Sequence, residues 1–404
     1  MKPMFRSLRI RNYRLWAGCA LISNIGSWMQ RTAQDWLVLT DLTPHNARAV
    51  GITMALQFGP QVLLIGLTGY AADHFDRRRL LLCTQGAMGA LALGLGLLAL
   101  SGAAQLWQVY GFALALGCAA AFDMPARQTF VAELVGEEDL PNAVALNSTS
   151  FNLARMAGPA LAGLLIAAMG TGWVFLLNAC SFAAVIFALL RLRASELHSK
   201  ERAARQRGNL AAGLRYVWQR EDLRAIMITL FLIGAFGLNF PIFIATMAVS
   251  VFHADAGRYG LLTTMMAVGS VCGALLAAGR DKPGLHWLYL GVAVFGLGCA
   301  TAALMPNYWL FGAALVIIGI AAQTVTTSAN SLVQLSTEPA MRGRVIAILL
   351  AVALGSTPIG APLVGWIANR FGPRWALGMA ALSGFGGALV GLRYLIRQRR
   401  PALQ

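Results

Sequence analysis

The chain has 404 residues, of which 58% are hydrophobic and only 12% are charged. Charged residues make up about a quarter of an ordinary soluble domain, so this composition excludes a soluble globular protein and indicates a membrane protein. The net charge of +16 would suit a nucleic-acid partner. The basic residues are concentrated in the termini and in connectors between apolar segments, so no nucleic-acid partner is predicted.

Apolar windows long enough to cross a bilayer recur along the whole chain. A span needs roughly 20 mostly apolar residues. The windows lack the strict alternation of barrel strands, so the predicted fold class is an all-α membrane protein of twelve transmembrane helices. The windows cover residues 13–38, 48–72, 79–100, 105–131, 143–168, 172–191, 224–251, 258–279, 285–304, 308–335, 344–369 and 374–396.

The topology follows from the distribution of Lys and Arg. Most of the 32 basic residues fall in the termini and in every second connector. This positive-inside bias places both termini in the cytoplasm. The basic N-terminal segment has no small-residue cleavage site, so its apolar window is expected to remain as the first helix.

The longest polar connector divides the twelve windows six and six. It predicts an N-terminal six-helix bundle over residues 1–192, a cytoplasmic linker over 193–222 and a C-terminal bundle over 223–404. Within the linker, GLRYVWQRE (213–221) is either an interfacial amphipathic helix or a solvated segment.

A weak internal repeat supports this division. GPALAGLLIAAMGTGW (158–173) aligns with GAPLVGWIANRFGPRW (360–375) half a chain later, so that Gly158, Gly163, Gly170 and Trp173 fall on equivalent residues. Together with the six-plus-six count, the repeat predicts two pseudo-symmetric bundles, the architecture of many secondary transporters.

Signatures of familiar enzymes are absent from the sequence. No phosphate-binding G-x-x-x-x-G-K-[ST], zinc helix H-E-x-x-H or nucleophile elbow G-x-S-x-G occurs. The six cysteines show no C-x-x-C spacing. We therefore predict no enzymatic activity, no catalytic residue, no cofactor and no metal site.

The connector GYAADHFDRRR (69–79) is unusually rich in charge. A positive-inside stop explains the arginines, but not Asp73 at the membrane edge or Gly69 one turn before it. Gly69 would let another helix approach closely, and Asp73 could cap or neutralise a helix N-terminus. Arg77 and Arg78 could then pair with acidic residues on a neighbouring helix. Such a cluster is suited to holding a gate shut until one charge changes.

This connector resembles the signature of the major facilitator superfamily between helices 2 and 3, roughly G-x-x-x-D-R-x-G-R-R. The glycine, the aspartate and two arginines match, whereas His74 and Asp76 replace the usual Arg and Gly. The Asp76 variant is similar to the branch of drug–proton antiporters and enterobactin-like siderophore exporters. The resemblance implies a cytoplasmic gate formed by Gly69, Asp73, Asp76, Arg77 and Arg78.

Further stretches resemble the same branch: SWMQRTAQDWLVL (27–39), FDMPARQTFVAELV (122–135), LPNAVALNSTSFNLARMAGPALAGLL (140–165) and MRGRVIAILL (341–350). The resemblance implies a bacterial inner-membrane exporter working by alternating access, with the substrate bound between the bundles near the midplane. Its cargo would be a small amphiphilic molecule, a siderophore first and hydrophobic drugs second. The expected energy source is a proton gradient, with protons as antiported partners.

The sequence also departs from that pattern. The arginine common in helix 4 of proton antiporters is missing from residues 109–117. The helix-5 antiporter motif is only partly present, as a packing motif at Gly158, Pro159 and Gly163. The second-half copy of the connector, near 279–282, is degraded.

Helix 1 carries Asn24, Ser27, Arg31 and Asp35 at helical spacing, which puts them on one face. A charge at mid-helix costs about 2.5–3.5 kcal/mol on insertion scales, so such residues face a cavity or a partner. This face either lines a polar path or holds Arg31 and Asp35 as a static pair. Asp35 lies toward the outer end, where partial solvation would weaken it as a proton carrier.

Asp123 in helix 4 precedes Arg127 by four residues. It either pairs with this arginine or, by resemblance, contacts Arg77 or Arg78 at the gate. An unpaired, desolvated Asp123 could instead load a proton.

Arg155 in helix 5 lies near mid-membrane, with Asn152 on the same face and no acidic residue within four positions. It could bind an anionic or catecholate-like substrate, or pair with Asp35 or Asp123 across the bundle. In helix 10, Gln323 and Asn330 lie on one polar face. These residues predict a polar cavity that favours an amphiphilic cargo.

Other functions use the same fold. A lipid scramblase or flippase would move lipid without a proton gradient, a membrane receptor would bind ligand without flux, and a nutrient importer would reverse the direction. The partners we expect are membrane lipids, a small-molecule substrate and protons, with the chain acting as a monomer.

Overall fold

The computed structural model describes residues 3–198, 210–278 and 284–399, and in these ranges the chain forms helices and no strand. The α-helices are α1 (Arg11–Thr40), α2 (Ala47–Leu63), α3 (Ile65–His74), α4 (Arg77–Leu100), α5 (Leu106–Leu134), α6 (Leu140–Met169), α7 (Thr171–Arg191), α8 (Leu210–Gln219), α9 (Glu221–Leu232), α10 (Phe240–Thr246), α11 (Ala256–Ala278), α12 (Leu285–Leu304), α13 (Tyr308–Ser336), α14 (Pro339–Phe371) and α15 (Pro373–Arg399). Short 3-10 helices cover Pro3–Arg9 and Ala194–Glu196, and π-helices cover Ile233–Gly237 and Met247–Val251.

The membrane-spanning character of these helices agrees with the predicted windows. Among the described residues, ten helical segments are long and apolar enough to cross a membrane, or eleven if the bent pair α2 and α3 forms one span. This pair bends by 57°, close to Pro60, which lacks a backbone donor. The helix α1 is long enough but is not among the ten, because polar and charged side chains lower its hydropathy. Each predicted window nevertheless falls on a helix.

The described chain divides into two compact units. The first contains residues 3–44 and 56–198, and the second contains 45–55, 210–278 and 284–399. The start of α2 therefore packs with the second unit, because Gly51 lies against Ala361 and Pro362 of α14.

In the first unit, a core of buried side chains joins the ends of five helices, α1, α4, α5, α6 and α7. Trp16 of α1 meets Phe130 of α5 edge to face, with ring centroids 5.3 Å apart. Leu81 of α4 and Val185 of α7 complete this cluster. We call this end of the unit the basic end, because the connector at residues 75–76 enters α4 here through three consecutive arginines. The core includes Leu81, which lies one turn after Arg77 and Arg78 in α4.

The internal repeat recurs in local backbone geometry. Gly170 ends α6 with φ +86°, and Gly372 ends α14 with φ +102°. Their amides donate to the carbonyls of Ile166 and Ala368 respectively, at 2.9 and 3.0 Å. Since L side chains rarely adopt this φ, the two glycines allow the next helix to begin at once.

In the predicted linker, α8 covers most of the GLRYVWQRE stretch. The segment 199–209 before it, and the degraded connector copy at 279–282, lie outside the described residues.

Candidate functional site

The connector between α3 and α4 contains the predicted gate residues. The carboxylate of Asp76 caps α4, since its Oδ1 accepts a hydrogen bond from the Arg79 amide at 2.8 Å. Capping of this kind satisfies an otherwise unpaired donor of the first turn. The side chain of Asp73 lies outside the described part of the structure. The helix cap shown here is therefore Asp76.

The two predicted gate arginines have different partners. Arg77 forms an ion pair with Glu133 at the end of α5, with Nη1 to Oε1 at 2.5 Å. Arg78 forms no ion pair with an acidic side chain among the described residues. Its guanidinium donates to the carbonyls of Leu189 and Leu190, at 2.9 and 3.3 Å. The last carbonyls of a helix lack intrahelical donors, which explains why Arg78 donates to these two carbonyls at the end of α7.

At Gly69 the described residues show no close helix approach, because a Cβ there would meet none of their atoms within 4 Å. The place of Gly69 in a cytoplasmic gate stays a prediction. One turn later, His74 stacks on the ring of Tyr70 with centroids 3.9 Å apart. Its Nδ1 lies 2.9 Å from the Tyr70 carbonyl oxygen.

Asp123 belongs to a polar network in which both of its carboxylate oxygens accept hydrogen bonds. Its Oδ2 accepts from Arg127 Nε at 3.0 Å. Its Oδ1 accepts from the Thr84 hydroxyl at 2.8 Å and from the Gln85 amide at 2.7 Å. Arg127 also donates to Asn24 Oδ1 at 3.1 Å. The network ties α1, α4 and α5 together, and it contains neither Arg77 nor Arg78.

The predicted polar face of α1 does not hold a static ion pair. The Arg31 guanidinium lies between two aromatic rings, 5.1 Å from the centroid of Trp28 and 4.7 Å from that of Phe58. Among the ion pairs of the described residues, none joins Arg31 to Asp35. Arg31 is therefore held by cation–π contacts, which orient its plane and leave its N–H groups available.

Asp35 is 3% exposed, so the expectation of partial solvation near the outer end is wrong. Its Oδ1 is buried and has no hydrogen-bond partner among the described residues. A buried polar atom without a partner is costly and is uncommon in folded proteins. Asp35 is the acidic residue among the eight described residues with such an atom, which makes it a candidate for binding a proton or a ligand.

A second unsatisfied group lies on α2. Gln57 donates to Gln34 Oε1 at 3.2 Å, and Gln34 donates to the Val109 carbonyl at 3.2 Å. One turn further along α2, both polar atoms of the Gln61 amide are buried without a partner in the described structure. Because Phe58 on the same helix reaches Arg31, this part of α2 faces the polar part of α1.

The helix α6 supplies the remaining candidates in the first unit. A Cβ on Gly158 would lie 3.2 Å from both the Ile25 carbonyl oxygen and the Met29 nitrogen of α1. The predicted packing motif therefore brings α6 close to α1, with Pro159 inside the helix and Gly163 buried. One ring contact continues this interface: Phe151 meets Trp28 at 6.0 Å.

The two polar candidates on α6 lie on its less buried side. Asn152 is exposed and donates to the Ser148 carbonyl at 2.9 Å. Arg155 is half-buried. In α13 of the second unit, Gln323 donates to the Thr327 hydroxyl at 3.1 Å, and Asn330 is exposed.

Two side chains that shape the site were not among the predicted residues. Glu133 lies in the quoted stretch 122–135, and an acid at the end of a span could have been recognised as a partner for the connector arginines. Phe58 gives no signal in the sequence, because an apolar residue in a span is ordinary.

Comparisons with known proteins agree with this architecture. A family model described as transmembrane secretion effector matches residues 3–402. The chain is 28% identical to the staphyloferrin A transporter of Staphylococcus aureus, over 86% of this chain and 87% of that protein. It is 28% identical to the enterobactin exporter EntS of Citrobacter koseri, over 89% and 85%. It is 27% identical to the multidrug efflux pump Tap of Mycolicibacterium fortuitum, over 87% and 88%.

Solved structures share the fold at low identity. A bacterial homologue of the human lysosomal transporter Spinster has a TM-score of 0.70 at 16% identity, covering 98% of this chain and 96% of that one. The nucleoside transporter NupG has a TM-score of 0.70 at 13% identity, covering 95% and 99%. The all-helical fold, the apolar spans and the family match agree, and the chain belongs to the transmembrane secretion effector family of the major facilitator superfamily.

Proposed function

We propose that this protein is a secondary exporter that moves a small amphiphilic molecule out of the cell in exchange for protons. The observation that carries the proposal is that two of the buried, unsatisfied groups of the first unit, Asp35 Oδ1 and the Gln61 amide, lie on the polar part of α1 and on the part of α2 that faces it. A protein keeps such groups at a cost in stability, and that cost is explained when a ligand or proton satisfies them during the transport cycle.

In this proposal each side chain has a chemical role. Asp35 binds the coupled proton at its unpartnered oxygen. Arg31, in cation–π contact with Trp28 and Phe58, presents its N–H groups to an anionic oxygen of the cargo. The amide of Gln61 can both donate to and accept from a polar group of the cargo. Aromatic rings beside a cation suit a ligand that is part aromatic and part anionic.

A siderophore is the favoured cargo. Iron-free siderophores combine anionic catecholate or carboxylate oxygens with extended organic frames, which fits the arginine and the rings described above. The likeness to a staphyloferrin A transporter and an enterobactin exporter supports the same class. Hydrophobic drugs are the second candidate, because the likeness to a multidrug efflux pump is of similar strength.

The positive-inside bias supports an orientation with both termini in the cytoplasm of a bacterial cell. Outward transport by alternating access is the working mode of the proposal, and the gate would include Arg77 with its partner Glu133.

The proposal is tested on purified protein in liposomes with an imposed pH gradient. Flux is recorded for catecholate and hydroxycarboxylate siderophores without iron, and for a fluorescent drug. Siderophore flux that follows the gradient and falls in Arg31→Gln supports the proposal. Flux of the drug alone makes the second candidate correct. Flux that ignores the gradient contradicts antiport and leaves a facilitator or a scramblase.

A further inference from the structure

The short helix α8 lies directly before a membrane span. It ends at Gln219, and α9 begins at Glu221, so Arg220 alone separates the two helices. The helix α9 opens the apolar segment Glu221–Val251, which is long and apolar enough to cross a membrane. Consecutive Cα atoms are only about 3.8 Å apart, so this connection keeps the end of α8 at the membrane surface.

The rotation of α8 about its axis is fixed by its packing on α14. Val217 is 2% exposed. A Cβ on Gly213 would lie 3.0 Å from Arg344 Cβ and 3.2 Å from Ile348 Cδ1. Gly213 and Val217 are four residues apart and therefore share the face that contacts the protein.

The next face of α8 is apolar and uncovered. Leu214 is 53% exposed and Trp218 is 61% exposed. These two residues are also four apart, and they lie about 100° around the helix from the packed face. A leucine and a tryptophan side by side on an exposed helix face at the membrane boundary are typical of an interfacial helix.

A cation borders this apolar face. Arg215 is exposed and makes no hydrogen bond or ion pair with any residue that the structure describes. Its neighbours are engaged: Arg220 pairs with Asp222 at 2.6 Å, and Arg224 donates to the Trp218 carbonyl at 3.2 Å. The hydrogen bonds that Arg220 donates to the Asp222 carboxylate raise the pKa of Arg220, so this pair stays charged and satisfied. Arg215 remains available to an external anion.

We propose that α8 lies in the cytoplasmic membrane surface, inserts Leu214 and Trp218 among the lipid chains, and binds the phosphate of an anionic phospholipid through Arg215. The inference rests on the proposed orientation, which places this helix at the anionic cytoplasmic leaflet. The lipid would be a ligand of the C-terminal unit, anchoring α8 and, through Gly213, the first turns of α14.

The test uses the full chain in phosphatidylcholine bilayers with increasing fractions of phosphatidylglycerol. One of the two lipids carries bromine in its acyl chains and quenches nearby tryptophan. The chain has 10 Trp residues. The fluorescence of Trp218 is therefore obtained as the difference in emission between wild type and Trp218→Phe. We expect quenching of residue 218 by both brominated lipids, with the stronger effect from phosphatidylglycerol.

The variant Arg215→Gln should lower this preference for phosphatidylglycerol about fivefold, the effect of one cation near an anionic surface. The exposed Arg14→Gln is the matched control and should leave it unchanged. In wild type, added salt should also lower the preference for phosphatidylglycerol, because it screens the attraction between Arg215 and the anionic headgroup.

Two results would overturn the inference. If no quenching is assigned to residue 218, the apolar face is turned away from lipid and meets another protein surface instead. If both brominated lipids quench it equally in wild type, no anionic headgroup is bound. Neither measurement needs substrate or a proton gradient, so failure of the exporter proposal would not affect the outcome.

Discussion

Asp123 and Asp35 are both buried carboxylates of the first unit, but their surroundings are opposite. Asp123 receives hydrogen bonds from Thr84, Gln85 and Arg127 on both of its oxygens. Asp35 has an oxygen with no donor among the described residues. The first arrangement is complete without any ligand, whereas the second is not.

This difference distinguishes a carboxylate that stabilises the helix packing from one that is available to a ligand or a proton. A satisfied buried pair contributes to a defined packing arrangement, and removing one member leaves a charge without compensation. An unsatisfied carboxylate destabilises the protein unless something else occupies the site. Asp123 is therefore part of the framework of α1, α4 and α5, whereas the proposed function gives Asp35 a role in the transport cycle. Under this proposal, the Asp→Asn substitution should affect mainly stability at position 123 and mainly coupled transport at position 35.

The largest effect is expected for Asp123→Asn. The change leaves the Arg127 guanidinium buried beside a neutral amide, and breaking a buried pair costs about 3–5 kcal/mol. Thermal unfolding in detergent should show a strongly lowered midpoint. Removing both charges, in Asp123→Asn with Arg127→Gln, should recover part of the loss. A double variant less stable than Asp123→Asn would contradict the framework role.

The next effect is expected for Asp35→Asn, which should leave thermal stability nearly unchanged. Because the amide cannot exchange a proton, transport should lose its response to the pH gradient. Coupling between two ligands usually amounts to about 5- to 150-fold, and we expect a loss of gradient-driven accumulation in that range. Counterflow of substrate without a gradient should persist. Coupled accumulation at the wild-type level would exclude Asp35 as the proton site.

A smaller effect separates Arg31 from Arg127, two of the arginines within the spans. Arg31→Lys replaces a planar cation between two rings by a compact one, which loses about 0.5–2 kcal/mol of cation–π contact and the fixed orientation. KM for an anionic cargo should rise about 2- to 30-fold at unchanged stability. Arg127→Lys is the matched control, since it should lower stability and leave KM unaltered. If Arg127→Lys raised KM and Arg31→Lys lowered only stability, the substrate would bind at the Asp123 network instead.

The sequence predicted the helices, the repeat and the spacing of Asp123 with Arg127, because these depend on local periodicity. It did not predict the partner of Arg77, which lies 56 residues away on another helix. Periodicity also placed Arg31 and Asp35 on one face, but it could not show that an aromatic ring of α2 holds the arginine. Which polar group has a partner is decided by packing between helices, so burial of Asp35 emerged only from the structure.

The smallest effect comes from two glutamines one turn apart on α2. Gln57 is hydrogen bonded to Gln34 at 3.2 Å, whereas the Gln61 amide is buried without a partner. Gln57→Leu should therefore destabilise the protein by about 1 kcal/mol, since it removes a favourable hydrogen bond and leaves Gln34 Oε1 without its donor. Gln61→Leu should stabilise it by a similar amount, because a leucine carries no polar group that needs a partner.

The two variants also differ in function. Gln61→Leu should weaken binding of a polar cargo even though the protein unfolds at a higher temperature, a trade-off expected where a site is built to hold a ligand. Gln57→Leu should lower the unfolding temperature without a matching change in affinity. Equal destabilisation by both leucines would mean that Gln61 is satisfied in the folded state. In that case Asp35 would be the single unsatisfied group on which the transport proposal depends.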